Sequence, residues 1–133
     1  MTNQSLCVIA LRILKLIWIS ESAKEAELVL SDGTFQCLAF SHPCNVVQGQ
    51  MLSEPLHAMD VKNLMIVIDE NLNENIVKID DCYFSHYCIA KVRDMKNSIV
   101  TIGDISIKIE GFIPRWAEEG DLIEFKCGRL DIW

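Results

Sequence analysis

The stretch from Ile99 to Ile132, IVTIGDISIKIEGFIPRWAEEGDLIEFKCGRLDI, constrains the fold most. Two short runs rich in β-branched residues flank the turn Gly103-Asp104. Alternation of apolar and polar residues on both sides of a two-residue Gly/Asp turn is the pattern of a β-hairpin, because successive strand residues face opposite sides of a sheet. A proline-bearing loop, Pro114-Arg115-Trp116, follows, and Gly120 opens a further run, Leu122 to Phe125. Leu130 to Trp133 closes the chain.

A similar plan lies 71 positions upstream, where Val29, Pro43, Gly49 and Asp60 align without gaps to Val100, Pro114, Gly120 and Asp131. Apolar residues fall in the same register, Leu28 with Ile99, Leu38 with Ile109 and Met51 with Leu122. The turn Asp32-Gly33 matches Gly103-Asp104. Fixed-period similarity of this kind predicts two related β-units, divided at residues 1–62 and 63–133 and packed as one compact domain; shared turn spacing between unrelated meanders is the alternative reading.

The remaining runs fit a β-rich chain. Leu6 to Ile19 is long enough for a helix, but Ile17-Trp18-Ile19 favours a long, bent strand. Ala26 to Leu30 and Phe35 to Phe40 read as a hairpin around Asp32-Gly33, and Pro43 breaks the second strand because proline cannot donate to a ladder. Val61 to Ile68 gives another apolar run, and the polar segment Asp69 to Asn75 a loop. Ile76 to Tyr83, Tyr87 to Val92, Ser98 to Ile102 and Ile105 to Ile109 continue the pattern. Turn signals every ~8–12 residues and no strand–helix alternation predict an all-β or β-rich fold. The expected architecture is a small antiparallel barrel or sandwich, with two units similar to the OB or SH3-like barrels.

Composition narrows the function. Nineteen acidic residues against twelve basic ones leave a net charge of −7, the wrong sign for a phosphate backbone or an anionic membrane surface. Arg12 and Lys15 interrupt the first apolar run, which predicts neither a signal peptide nor a membrane-spanning helix. A cytoplasmic chain is expected, with its six cysteines as free thiols. Cys7, Cys37, Cys88 and Cys127 lie in apolar runs, as small buried hydrophobes do.

No motif points to catalysis. The triplets Cys82/His86/Cys88 and Cys37/His42/Cys44 lack the paired spacing of structural zinc sites. No nucleophile elbow, P-loop or calcium loop occurs, and His42 and His57 fall beside prolines. The expectation is no enzyme, no metal and no cofactor. What remains is acidity. One segment, Asp69 to Asp81, carries Asp69, Glu70, Glu74, Asp80 and Asp81; the other, Glu110 to Glu124, carries Glu110, Glu118, Glu119, Asp121 and Glu124 with Trp116 among them. Aromatic residues amid carboxylates suit a surface that anchors a basic protein. The reading is a non-catalytic acidic binding protein that neutralises a basic partner, in its most concrete form an immunity protein for a nuclease-type toxin. Alternatives are an OB-like module for single-stranded nucleic acid, which the acidity disfavours, and a structural assembly subunit in which the apolar run Leu6 to Ile19 pairs as an exposed edge strand with another chain, a homodimer being one such assembly.

Overall fold

The computed structural model describes residues 11–79, 83–111 and 113–133. These residues form twelve strands and no helix. They are β1 (Leu11–Ser20), β2 (Glu25–Ser31), β3 (Gln36–Ser41), β4 (Met51–Leu52), β5 (Leu56–Met59), β6 (Lys62–Ile66), β7 (Asn75–Lys78), β8 (His86–Asp94), β9 (Ile99–Ile102), β10 (Ile105–Ile109), β11 (Leu122–Cys127) and β12 (Arg129–Ile132). The chain is all-β, and the first apolar run is a strand from Leu11 onward; Leu6 to Ala10 lie outside the described residues.

The strands join in one sheet with the order β4-β1-β2-β3-β12-β5-β10-β9-β8-β11-β6, and β7 pairs with β8 off that path. Two expectations are corrected. The sheet does not close into a barrel, because β4 and β6 end the path without pairing. Nor is it purely antiparallel: β10 runs parallel to β5 and β12 parallel to β3. Between them, β5 and β12 pair antiparallel at the centre of the order. A strand from residues 1–62 therefore lies beside one from 63–133 at all three central pairings.

The strand order has an internal symmetry. Exchanging β1 to β5 with β8 to β12 reverses the path from β4 to β11. The gapless register of 71 does not survive at residue level. Leu28 is fully buried while Ile99 is half-exposed, and Leu38 is half-exposed while Ile109 is buried. Buried Leu28 and Leu30 of β2 match buried Val100 and Ile102 of β9 at an offset of 72, and a slip of one residue carries one face of a strand onto the other. The first hairpin closes over residues 32–35, the second over residues 103–104 only.

Alternation builds the core. Cys37 and Ala39 of β3, Ile105, Ile107 and Ile109 of β10, and Val100 and Ile102 of β9 all point inward. They join Leu28, Leu30, Leu56, Phe125 and Leu130 in a single hydrophobic cluster. Each fully buried Val, Leu, Ile or Phe among them contributes roughly 1.5–3 kcal/mol. Strands remote in the path share this cluster, so the sheet curls over it. The two hairpin turns also meet. Asp32 Oδ1 accepts from the N–H groups of Thr34 and Phe35 at 2.8 and 2.7 Å, and its Oδ2 accepts from Asp104 N–H at 2.8 Å. Burial by itself raises the Asp32 carboxyl, but the N–H groups of Phe35, Asp104 and Thr34 outweigh it and hold the group below its ordinary range. Gly103 fits this junction because it has no Cβ: one built there would lie 2.7 Å from Asp32 Oδ2 and 2.8 Å from the Phe35 ring.

Candidate functional site

The thiols are the candidate metal ligands and nucleophiles of this chain. Cys37, Cys44, Cys88 and Cys127 are buried and free; Cys7 and Cys82 lie outside the described residues. Burial pushes the Cys37 thiol up to about 12. The hydrogen bond with Cys127, and burial, push Cys88 well above the ordinary thiol range. A thiol held protonated in the core is neither a nucleophile nor a ready ligand. His86, on β8, is fully buried. Its Nε2 accepts from Leu38 N–H at 3.2 Å, so its Nδ1 carries the proton and donates to Phe84 C=O at 3.0 Å. Both nitrogens are thus committed to backbone, and the ring ties β8 to β3. Among the described residues no three His, Cys, Asp or Glu side chains converge as metal ligands.

A second cluster was not legible in the sequence. Proximity to Pro55 predicts a loop for His57, but the residue lies on β5. Leu56 and Ala58 face the core, so His57 faces outward. Its Nδ1 lies 2.6 Å from Glu110 Oε2, and its ring stacks on Trp133 with centroids 3.7 Å apart and planes 12° from parallel. The pair walls a cleft of about 390 Å³ that Gln50, Glu54 and Pro55 also line. A carboxylate that orients an imidazole is two thirds of a nucleophilic triad. Among the described residues the arrangement is an imidazole paired with a carboxylate and stacked on an exposed indole, with no hydroxyl or thiol hydrogen-bonded to His57.

The neighbouring strand carries a comparable outward group. Arg129 donates from Nε and Nη2 to the two oxygens of Asp131 at 2.6 and 2.9 Å, and its guanidinium sits 4.5 Å from the centroid of the Phe40 ring. Phe40 meets Phe84 edge-on, and Phe84 meets Tyr83. Tyr83 donates its phenol proton to Glu27 Oε2 at 2.6 Å, and that hydrogen bond raises the phenol above its ordinary range.

The acidic residues divide into two kinds. Trp116, Glu118 and Glu119 are exposed in the loop between β10 and β11, and Asp121 is half-buried at its end. Asp69 and Glu70 are exposed in the loop between β6 and β7, and Glu74 is half-buried before β7. Asp80 and Asp81 lie outside the described residues. Pairing of β6 with β11 starts both loops from one end of that pair, where Val67 N–H donates to Leu122 C=O at 2.9 Å. Several carboxylates serve the backbone there. Asp121 accepts from Glu118 N–H at 2.9 Å, Glu119 from Met95 N–H at 3.3 Å and Asp69 from Asn71 N–H at 2.9 Å. Glu74 is drawn away to Gly103 N–H at 2.6 Å. The side-chain carboxylates of Glu70 and Glu118 hold no hydrogen bond or ion pair among the described residues. Folding also brings cations to this end: Lys91 pairs across from Leu122, and Lys96 follows Met95 in the turn after β8. The acidic field is therefore weaker in space than along the chain.

These features define a class, an all-β chain with an open, mixed sheet and polar–aromatic clusters on its outer face. Compared with known proteins, the chain matches no family model, no curated protein and no solved structure. No helix among the described residues is long and apolar enough to cross a membrane.

Proposed function

We propose that this chain is a non-catalytic binding protein that docks a basic protein partner on the end of the β6–β11 pair. The observation that carries this reading is that two loops reaching one end of this pair expose both apolar and acidic side chains. Ile68 is 89% exposed and Trp116 55% exposed, and the carboxylates of Glu70 and Glu118 on the same two loops are committed to nothing else. Apolar anchors supply affinity, and rim carboxylates supply steering toward a cationic surface. A nuclease-type toxin is the most concrete partner: the carboxylates would occupy the place of its substrate's phosphates.

The test is association with basic nucleases and with the products of neighbouring reading frames, followed by stopped flow at low and moderate salt. Binding that slows with salt, and slows again in Glu70→Gln/Glu118→Gln, supports the reading. Trp116→Ala should raise the dissociation rate instead. Association untouched by all three substitutions removes this end of the sheet from the interface. A gel shift with single-stranded nucleic acid at low salt would favour the oligonucleotide-binding alternative.

A further inference from the structure

The two halves of the strand order differ at one place. In the second half, the six residues of β11 pair along β8 from His86 to Lys91. At the equivalent place in the first half stands β4, whose two residues cover only Leu11 and Arg12 of β1. Gly49 and Gln50 extend that cover to Ile13 through backbone hydrogen bonds of 2.7 and 2.9 Å. From Lys15 to Ser20 this edge of β1 has no strand beside it among the described residues. Leu16 N–H points away from β2 and is taken by the side chain of Gln48, at 3.2 Å. That amide oxygen stands where the carbonyl of a neighbouring strand would stand. Backbone direction alternates along a strand, so Trp18 aims its N–H and C=O to the same open side. The exposed part is apolar on both faces: Leu14 is 42% exposed, Ile17 41%, Trp18 42% and Ile19 52%.

We infer that a second copy of this chain supplies the missing strand, β1 against β1, antiparallel about a two-fold axis through Ile17. Three features select a second copy. A two-fold contact uses the same patch twice, and an antiparallel pairing of one strand with itself meets that condition without a second complementary surface. The register closes: Leu16 and Trp18, which aim outward, each pair with the other residue of the partner copy and exchange four backbone hydrogen bonds once the incoming Trp18 carbonyl displaces the Gln48 amide oxygen from Leu16 N–H, while Ile17 meets Ile17 in the non-hydrogen-bonded position. The charges agree as well. Lys15 is the cation nearest the axis; in this register it faces Ile19 rather than another lysine, with Glu21 at the diagonal position. Self-pairing is open to β6 at the other end of the path too, but β6 is five residues long and exposes Lys62, Asn63 and Met65, whereas β1 is ten residues long and apolar at its centre; a contact of β1 with β6 would be head-to-tail and would propagate instead of closing. This inference is independent of the acidic docking surface, which lies on other strands.

The experiment is cross-linking of the full chain. Non-hydrogen-bonded partners lie about 4.5 Å apart at Cα, within the ~4.4–6.8 Å that a disulfide spans. Ile17→Cys should form a covalent dimer on mild oxidation, above the background of the parent chain, while Met65→Cys on β6 should not. Sedimentation of the parent chain should give a dimer, and Ile17→Lys should give a monomer with an unchanged circular dichroism spectrum. Should Ile17→Lys fail to fold, the cysteine pair still decides. A parent chain that stays monomeric at every concentration, or cross-linking through Met65→Cys and not Ile17→Cys, overturns the inference.

Discussion

Lowering the pH should loosen this fold through His86 before any carboxylate matters. The imidazole is fully buried, with Nε2 accepting from Leu38 N–H and Nδ1–H donating to Phe84 C=O. Protonation would place a cation in the core and remove the acceptor for Leu38. Desolvation, reinforced by Lys78 on β7, lowers the group from 6.5 to about 4, against the hydrogen bond to Phe84, which raises it. The unfolded chain therefore binds this proton first. Stability from His86 is fully present above pH ~6.5, declines as pH falls toward ~4, and is lost below that. Each pH unit between the two values is worth about 1.4 kcal/mol, so the loss is about 2 kcal/mol at pH ~5 and about 3 kcal/mol once both forms are protonated. Urea unfolding at intervals from pH 7 to 4 measures this directly. The comparison is His86→Gln, whose amide cannot titrate, so subtracting its curve cancels the other ionisable groups. Asp32 and Asp94 have lowered carboxyls, and their contribution is lost in a separate window, below the ordinary carboxylate range. A difference curve that stays flat between pH ~6.5 and ~4.5 would refute the reasoning.

Two further outcomes test the junction and the outer face. Gly103→Ala should destabilise the chain by about 1–3 kcal/mol in urea unfolding, because its φ of +57° is joined to a Cβ clash with Asp32 and Phe35; a change below about 0.5 kcal/mol would show that the two turns are not packed as described. The only two tyrosines, Tyr83 and Tyr87, both ionise above the ordinary range because each phenol donates to a glutamate, Glu27 or Glu124. Absorbance near 295 nm should therefore rise at a pH above that of free tyrosine, and a midpoint at or below ~10 would count against both hydrogen bonds.

Local codes were legible in the sequence. Asp32-Gly33 and Gly103-Asp104 announced their hairpins, and alternation through Ile105, Ile107 and Ile109 announced a core-facing strand; each depends on residues a few positions apart. The free, buried state of Cys37, Cys88 and Cys127 followed from the apolar runs that hold them. The all-β class was thus determined by the chain itself. The central strand β5 was not, since Leu56-His57-Ala58-Met59 is short and bracketed by Pro55 and Asp60. Only pairing with β10 and β12, about fifty and seventy residues away, makes it a strand.

The same distinction governs the candidate site. Charge along the chain marked Asp69 to Asp81 and Glu110 to Glu124 as acidic surface. The fold turned Asp69, Glu74, Glu119 and Asp121 into acceptors for backbone N–H groups, set Lys91 and Lys96 nearby, and left Glu70 and Glu118 uncommitted. It also joined His57 to Glu110 and Trp133, residues that nothing in their spacing connects. Composition and alternation determine which face of a strand is buried. Which strands become neighbours depends on long-range pairing, where backbone hydrogen bonds are chemically alike and the choice falls to the core that the whole chain can close.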